Sequence, residues 1–253
     1  MATLGRRIQG GLLLLVVVWC GGGEATAQSA PASASSAVST GRHFCTTGPE
    51  EGSLDARGLS LIYCASQPGI TAPLRAAHAS ARPAFYGAVP AAWIGAGVTQ
   101  EAQLAASAYR LTLTQSFSYG LITGLKHLIG RPRPYVTHPL KARVERHPSP
   151  GEAWLSFPSG HAGLSAALVT SWSLSYSRWY VIGPGAVWAT SVALSRLHLG
   201  VHYPSDILAG SLLGAGIAVL VHELRRALTP ARLQASPGTS RLRAPPLVLR
   251  MQF

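Results

Sequence analysis

The chain has 253 residues, of which 47% are hydrophobic and only 12% charged, and it carries a formal net charge of +12. That length allows one ordinary domain with a sizeable core. The basic surplus suits anionic lipid or phosphorylated small molecules; no nucleic-acid module is visible and aromatics do not interleave with the arginines, so nucleic acid is not an expected partner.

Arg6 and Arg7 precede an apolar run from Gly11 to Cys20, and Ala25-Thr26-Ala27 follows as a small-x-small cleavage site. This is the three-part layout of a secretory signal, and the run is short for a bilayer span. Residues 1–27 are therefore expected to be a signal peptide, the alternative being an uncleaved anchor. Bulky Trp19 ahead of Cys20 argues against lipid attachment there. Residues 28–40 are almost wholly Ser, Ala and Pro and read as a linker. Cys45 and Cys64 are the two cysteines beyond the signal. In an exported chain they suit one disulfide closing a surface loop, the alternative being two separate thiols. No Cys/His spacing resembles a zinc site. Residues 41–83 receive no assignment.

From Ala84 the texture becomes long apolar stretches rich in Ala, Leu, Gly and Ser. Helices are expected over 84–98, 103–129, 160–177, 181–198 and 205–226. Pro132 and Pro134 stop the second, and Pro204 suits the first turn of the fifth. No stretch alternates as a strand does, so the fold class is all-α, a helical bundle over 84–226. Ile207 to Val221 is apolar throughout, and arginines follow Leu224, which fits a cytoplasmic tail under the positive-inside rule. That pattern favours association with a membrane, with an exported soluble bundle as the alternative. Residues 227–253 read as a loosely ordered basic tail.

Three segments carry the chemistry. The first, K-H-L-I-G-R-P-R-P, supplies Lys126 and Arg133, with Arg131 an equal competitor on spacing alone. Fixed cations neutralise a transferring phosphoryl group, arginine as a planar fork and lysine as a mobile point charge. The second, P-S-G-H, places Ser159 as an N-cap and Gly160 where backbone can approach an anion at a helix N-terminus. His161, in the first turn, is placed to protonate a leaving oxygen as general acid. In the third, S-R-L-H-L-G-V-H-Y-P-S-D, Arg196 ends one helix and His202 precedes the next. Asp206, four residues beyond His202, can fix its tautomer and free the other nitrogen to attack phosphorus. His198 lacks such a carboxylate and is expected to pack at a helix end.

With K-x6-R-P, P-S-G-H and S-R-x5-H-x3-D all present, the chain resembles the type 2 phosphatidic acid phosphatase superfamily. That superfamily includes bacterial class A acid phosphatases and vanadium haloperoxidases. The resemblance spans roughly residues 84–224. It implies a helical bundle with His202 as nucleophile, His161 as acid/base and Asp206 orienting His202. It also implies that Lys126, Arg133, Ser159, Gly160 and Arg196 bind phosphate, without a metal or other cofactor. The G-V-H-Y-P-S-D-I-L-A-G stretch is closer to membrane members, which take lipid phosphates. The expected activity is hydrolysis of phosphomonoesters or diphosphates, foremost of lipids, through a phosphohistidine on the exported side of a membrane. Alternatives are a soluble periplasmic acid phosphatase, a vanadate-dependent haloperoxidase and a non-catalytic phosphate-binding membrane protein.

Overall fold

A computed structural model describes residues 44–46, 53–143, 149–230 and 233. The expected signal peptide, the 28–40 linker and most of the 227–253 tail lie outside the described residues. Among the described residues there is helix and no strand.

Helix α1 (Leu54–Tyr63) starts where the Ser53 hydroxyl accepts from the Ala56 N–H at 3.1 Å. It buries Leu59 and Tyr63 in a cluster with Phe44, Leu197, Tyr203 and Ile207. A disulfide joins Cys45 to Cys64 at its end. Helix α2 (Pro68–Thr99) begins 16 residues before the expected 84–98 segment. Pro73, Pro83 and Pro90 lie inside it, each removing an N–H from the ladder, and it was this proline content that disguised it. The helix holds because Thr71, Leu74, Ala77 and Ala81 form a buried stripe at helical spacing, packed chiefly on neighbouring helices.

Helix α3 (Ala102–Ile129) ends at Gly130, whose φ of 59° is the left-handed conformation that glycine adopts without a Cβ penalty. The stop therefore precedes the prolines that were expected to make it. Short helix α4 (Pro134–Thr137) and a 3-10 turn (Pro150–Trp154) lead into α5 (Gly160–Ser175). Then follow α6 (Trp179–His198), α7 (Pro204–Glu223) and α8 (Arg225–Leu228).

The tightest packing is α5 on α7. A Cβ at Gly210 would collide with the Ser159 carbonyl, and one at Gly214 with the Gly163 carbonyl. Small residues here let two backbones meet, as they do between helices in general. The Ser159 N–H donates to the Asp206 carbonyl at 2.9 Å, so the loop before α5 is latched to the first turn of α7.

Candidate active site

The three motif segments converge at one end of the bundle, where α3 and α6 finish and α5 and α7 begin. Lys126 Nζ donates to the Leu155 carbonyl at 2.6 Å and, at 3.5 Å, to that of Ser156. Its stem passes Gly160, where an added Cβ would stand 3.9 Å from Lys126 Cε. The Arg133 N–H donates to the Ala153 carbonyl at 2.8 Å and the Ser156 N–H to the Arg131 carbonyl at 3.0 Å. The first motif is thereby pinned to the loop that carries the second.

Asp206 is the hub. It occupies the third position of α7 and is 0% exposed. One oxygen accepts from Arg131 Nη1 at 2.6 Å. The other accepts from Ser156 Oγ at 2.5 Å and from the Tyr203 N–H at 2.8 Å, the latter a capping interaction at the helix start. His202 Nδ1 lies 3.5 Å from that same oxygen, the outer limit of a hydrogen bond. The carboxylate thus faces His202 while being held from three other directions.

Four buried polar atoms of the expected site residues have no hydrogen-bond partner within the protein: Arg133 Nε, Ser159 Oγ, His161 Nε2 and His202 Nδ1. Ser159 stands at the N-cap position of α5, but its hydroxyl makes no capping bond. The expected capping serine is instead a buried hydroxyl beside the site. His202 Nδ1 faces Asp206; the other three come from two separate segments, and because buried polar atoms are almost always paired they mark a place built for a polar ligand.

Arg196 is 5% exposed; its Nε donates to Ser195 Oγ at 3.3 Å and its Nη2 contacts His78 Nδ1. Among the charges acting on His202 are those of Lys126, Arg133 and Asp206. Burial, joined by the two cations against the pull of Asp206, pushes the His202 imidazole down to about 3. It is neutral at neutral pH, with a lone pair available. The charges acting on His161 are those of Arg196, His202, His78 and Arg82.

Several participants were not visible in the sequence. Arg131, an equal competitor of Arg133 on spacing, has its fork occupied within the protein: it joins Asp206 to Asp55, with Nη2 2.7 Å from Asp55 Oδ2, and its guanidinium lies 4.3 Å over the Tyr203 ring. Asp55 also accepts from the Ser205 N–H at 2.9 Å and from Ser205 Oγ at 2.6 Å. Burial raises the Asp55 carboxyl, but these bonds outweigh it and hold it below its ordinary value. Ser156 fixes Asp206 from the other side. From α2 come His78, with its ring centroid 6.5 Å from that of His161, and Phe85, at 5.6 Å. The spacing of His78, Arg82 and Phe85 on one helical face was the signal that could have found them. His198 is buried away from the site beside Arg143, whose Nη1 lies 3.3 Å from its carbonyl, as a packing residue does.

Residues 107–230 match the model of the PAP2 superfamily. A lipid A 1-phosphatase of Rhizobium johnstonii is 35% identical over 111 residues, 44% of either chain. An undecaprenyl-diphosphatase of Sulfolobus acidocaldarius is 32% identical over 112 residues, 44% of this chain and 52% of that one. A decaprenylphosphoryl-5-phosphoribose phosphatase of Mycobacterium tuberculosis is 39% identical over 97 residues, 38% of this chain and 49% of that one. The chain spans about half the length of the curated relatives it matches. Among solved structures, Aquifex aeolicus LpxE superposes with a TM-score of 0.54 at 20% identity, covering 69% of this chain and 98% of that one. The transmembrane PAP2-type phosphatidylglycerolphosphate phosphatase of Bacillus subtilis gives 0.52 at 24% identity, covering 67% and 83%. Both likenesses are of fold.

Proposed function

From residues 107–230 this chain belongs to the PAP2 superfamily, and on that premise we propose that it is a phosphatase acting on a lipid-borne phosphate through a phosphohistidine. The observation that carries the reading is the set of orphaned polar atoms of His161, Ser159 and Arg133 in the segments that meet His202 and its Asp206 partner. In the reaction, neutral His202 attacks phosphorus through Nε2 while Asp206 faces Nδ1. Lys126, Arg133 and Arg196 neutralise the phosphoryl oxygens, with the Ser159 hydroxyl and the first N–H groups of α5. The bound anion offsets these cations at His161, which then carries the proton given to the leaving oxygen. Water, deprotonated by His161 in reverse, releases phosphate from His202. The reading assigns no metal to these steps.

A lipid substrate is supported by three features. The relatives named above are phosphatases of lipid A or of polyprenyl carriers. An apolar cavity of about 560 Å³, lined by residues such as Leu104, Leu111, Leu168, Trp172 and Trp188, lies between α2, α3, α5 and α6. Trp188 at its edge is 6.3 Å from Phe85, which in turn packs on His161. The third feature is α7, among the described residues the one helix apolar and long enough to cross a membrane, with only 28% of that stretch buried. It turns Leu208, Leu212 and Leu220 outward, and apolar surface of that kind suits lipid contact. Arg225 and Arg226 follow its far end, which under the positive-inside rule supports a catalytic end outside the cytoplasm.

Replacing His202 by Ala tests the mechanism. Phosphate release from a lipid phosphate is expected to fall by at least about 10³-fold, as for loss of a nucleophile, while binding of inorganic phosphate is largely retained. Turnover left intact in the variant would defeat the proposal.

A further inference from the structure

Helix α1 lies outside residues 107–230, the stretch matched to the family, yet it reaches the group that supports the nucleophile. Asp55 stands in its first turn, where an acidic side chain ordinarily answers the helix dipole. The cap of α1 is the Ser53 hydroxyl, however, and Asp55 turns both carboxylate oxygens to other elements. Oδ1 accepts from the Ser205 N–H at 2.9 Å, one of the first amides of α7 that its own helix cannot satisfy. Oδ2 accepts from Arg131 Nη2 at 2.7 Å and from Ser205 Oγ at 2.6 Å. Ser205 Oγ in turn accepts from Arg131 Nη1 at 2.7 Å, and the same Nη1 lies 2.6 Å from Asp206 Oδ1. Asp55 therefore grips Asp206 twice, through the backbone of the preceding residue and through the guanidinium that pairs with the carboxylate.

The packing makes α1 a firm support. An added Cβ at Gly58 would stand 2.9 Å from Pro204 Cγ, so α1 lies against the opening residue of α7. Leu59 and Tyr63 are buried with Tyr203 and Ile207, and the Cys45–Cys64 disulfide closes the far end of the helix. Asp206 has need of such support. His202 Nδ1 is 3.5 Å from its Oδ2, so a small movement of the carboxylate decides whether that hydrogen bond is made. Arg131 also divides its two arms between two carboxylates, so Asp206 is not closed off in a complete ion pair and stays available to the Nδ1–H of His202.

We infer that Asp55 is a positioning residue for phosphoryl transfer, acting through Arg131 and Ser205 to hold Asp206 against His202. The inference rests on the phosphatase reading above. The loss on removing Asp55 falls on the chemical step and not on phosphate binding, because its hydrogen bonds go to Ser205 and Arg131 rather than to the groups assigned to the phosphate.

The test sets kcat for phosphate release from phosphatidic acid and from farnesyl diphosphate beside the inhibition constant of inorganic phosphate, on the full chain in detergent. Asp55→Asn keeps the shape and removes the charge. Its kcat should fall about tenfold, as for loss of an outer partner of a site ligand, with the phosphate constant within about twofold of the parent. Ser205→Ala removes the hydroxyl shared with Arg131 and should lower kcat about threefold, the scale of one neutral hydrogen bond. That variant keeps the test open where Asp55→Asn does not fold. Ser53→Ala removes the cap of α1 and is the control for stability: its thermal midpoint should drop while kcat stays at the parental value. Parental kcat in Asp55→Asn or Ser205→Ala, a phosphate constant that weakens in step with kcat, or an equal loss of kcat in Ser53→Ala would overturn the positioning role and leave the phosphatase reading in place. Release of phosphate from neither substrate by the wild-type protein would overturn that reading itself, and the positioning role with it.

Discussion

Two arginines two residues apart, Arg131 and Arg133, take opposite roles, and nothing local separates them. Arg131 spans Asp55 and Asp206, whereas Arg133 keeps a buried Nε without a protein partner. Arg131→Ala would leave the carboxylate of Asp206, 0% exposed, without its ionic partner. Breaking such a buried pair costs about 3 kcal/mol. A lowered denaturation midpoint and a drop in kcat are expected together, because Asp206 also sets the position of His202. Arg131→Lys restores the charge but not the two-armed geometry, so only part of both losses should be recovered. Full activity in Arg131→Ala would show that Asp206 needs no such anchoring.

At the level of elements, the catalytic geometry depends on how closely α5 approaches α7. Gly210 has the Ser159 nitrogen and carbonyl carbon 3.2 Å from where a Cβ would stand, with the carbonyl oxygen nearer still. Gly210→Ala must therefore push the Ser159-Gly160-His161 turn away from His202. Misplacement by about an ångström costs around 10²-fold in rate, so kcat should fall far more than the affinity for inorganic phosphate. Gly216, on the same helix, has nothing within 4 Å of its own Cβ position. Gly216→Ala serves as the comparison, and its kcat should match the parent. Equal kcat in the two variants would rule out this contact as the positioning device. The same contact explains why α5 and α7 were readable as helices but not as a pair: their glycines resemble ordinary small residues until the two backbones are placed together.

For the molecule as a whole, the buried neutral His202 links stability to pH. Its folded value of about 3 lies below the ordinary 6.5. Between those two values the unfolded chain holds a proton there that the folded chain does not. The contribution is therefore fully present above pH 6.5 and is lost as pH falls from 6.5 towards 3. Each pH unit in that window costs about 1.4 kcal/mol for one such proton. Unfolding free energies of the solubilised protein between pH 7.5 and 5 should decline, and His202→Asn should decline less steeply by about one proton. Identical slopes would mean that His202 is not held neutral.

What could be read without coordinates was whatever the chemistry writes locally. Lys126 and Arg133, Ser159 to His161, and Arg196 to Asp206 each fall within a dozen residues. Helical spacing and helix punctuation place such groups at helix ends, so the bundle and its three motifs were legible. What could not be read depends on partners far apart along the chain. Asp55 meets Ser205 across 150 residues and Arg131 across 76, and His78 meets Arg196 across 118. Taken alone, each of these is an ordinary polar residue on a helix, and α2 was further hidden by its three prolines. The amino-acid order alone gave the three motifs of the candidate site and the all-helical architecture, because both follow from short-range spacing. Folding decided which arginine joins two carboxylates and which keeps a buried Nε unpartnered, and that α2 packs beside His161, because contact between distant segments exists only once the helices are packed.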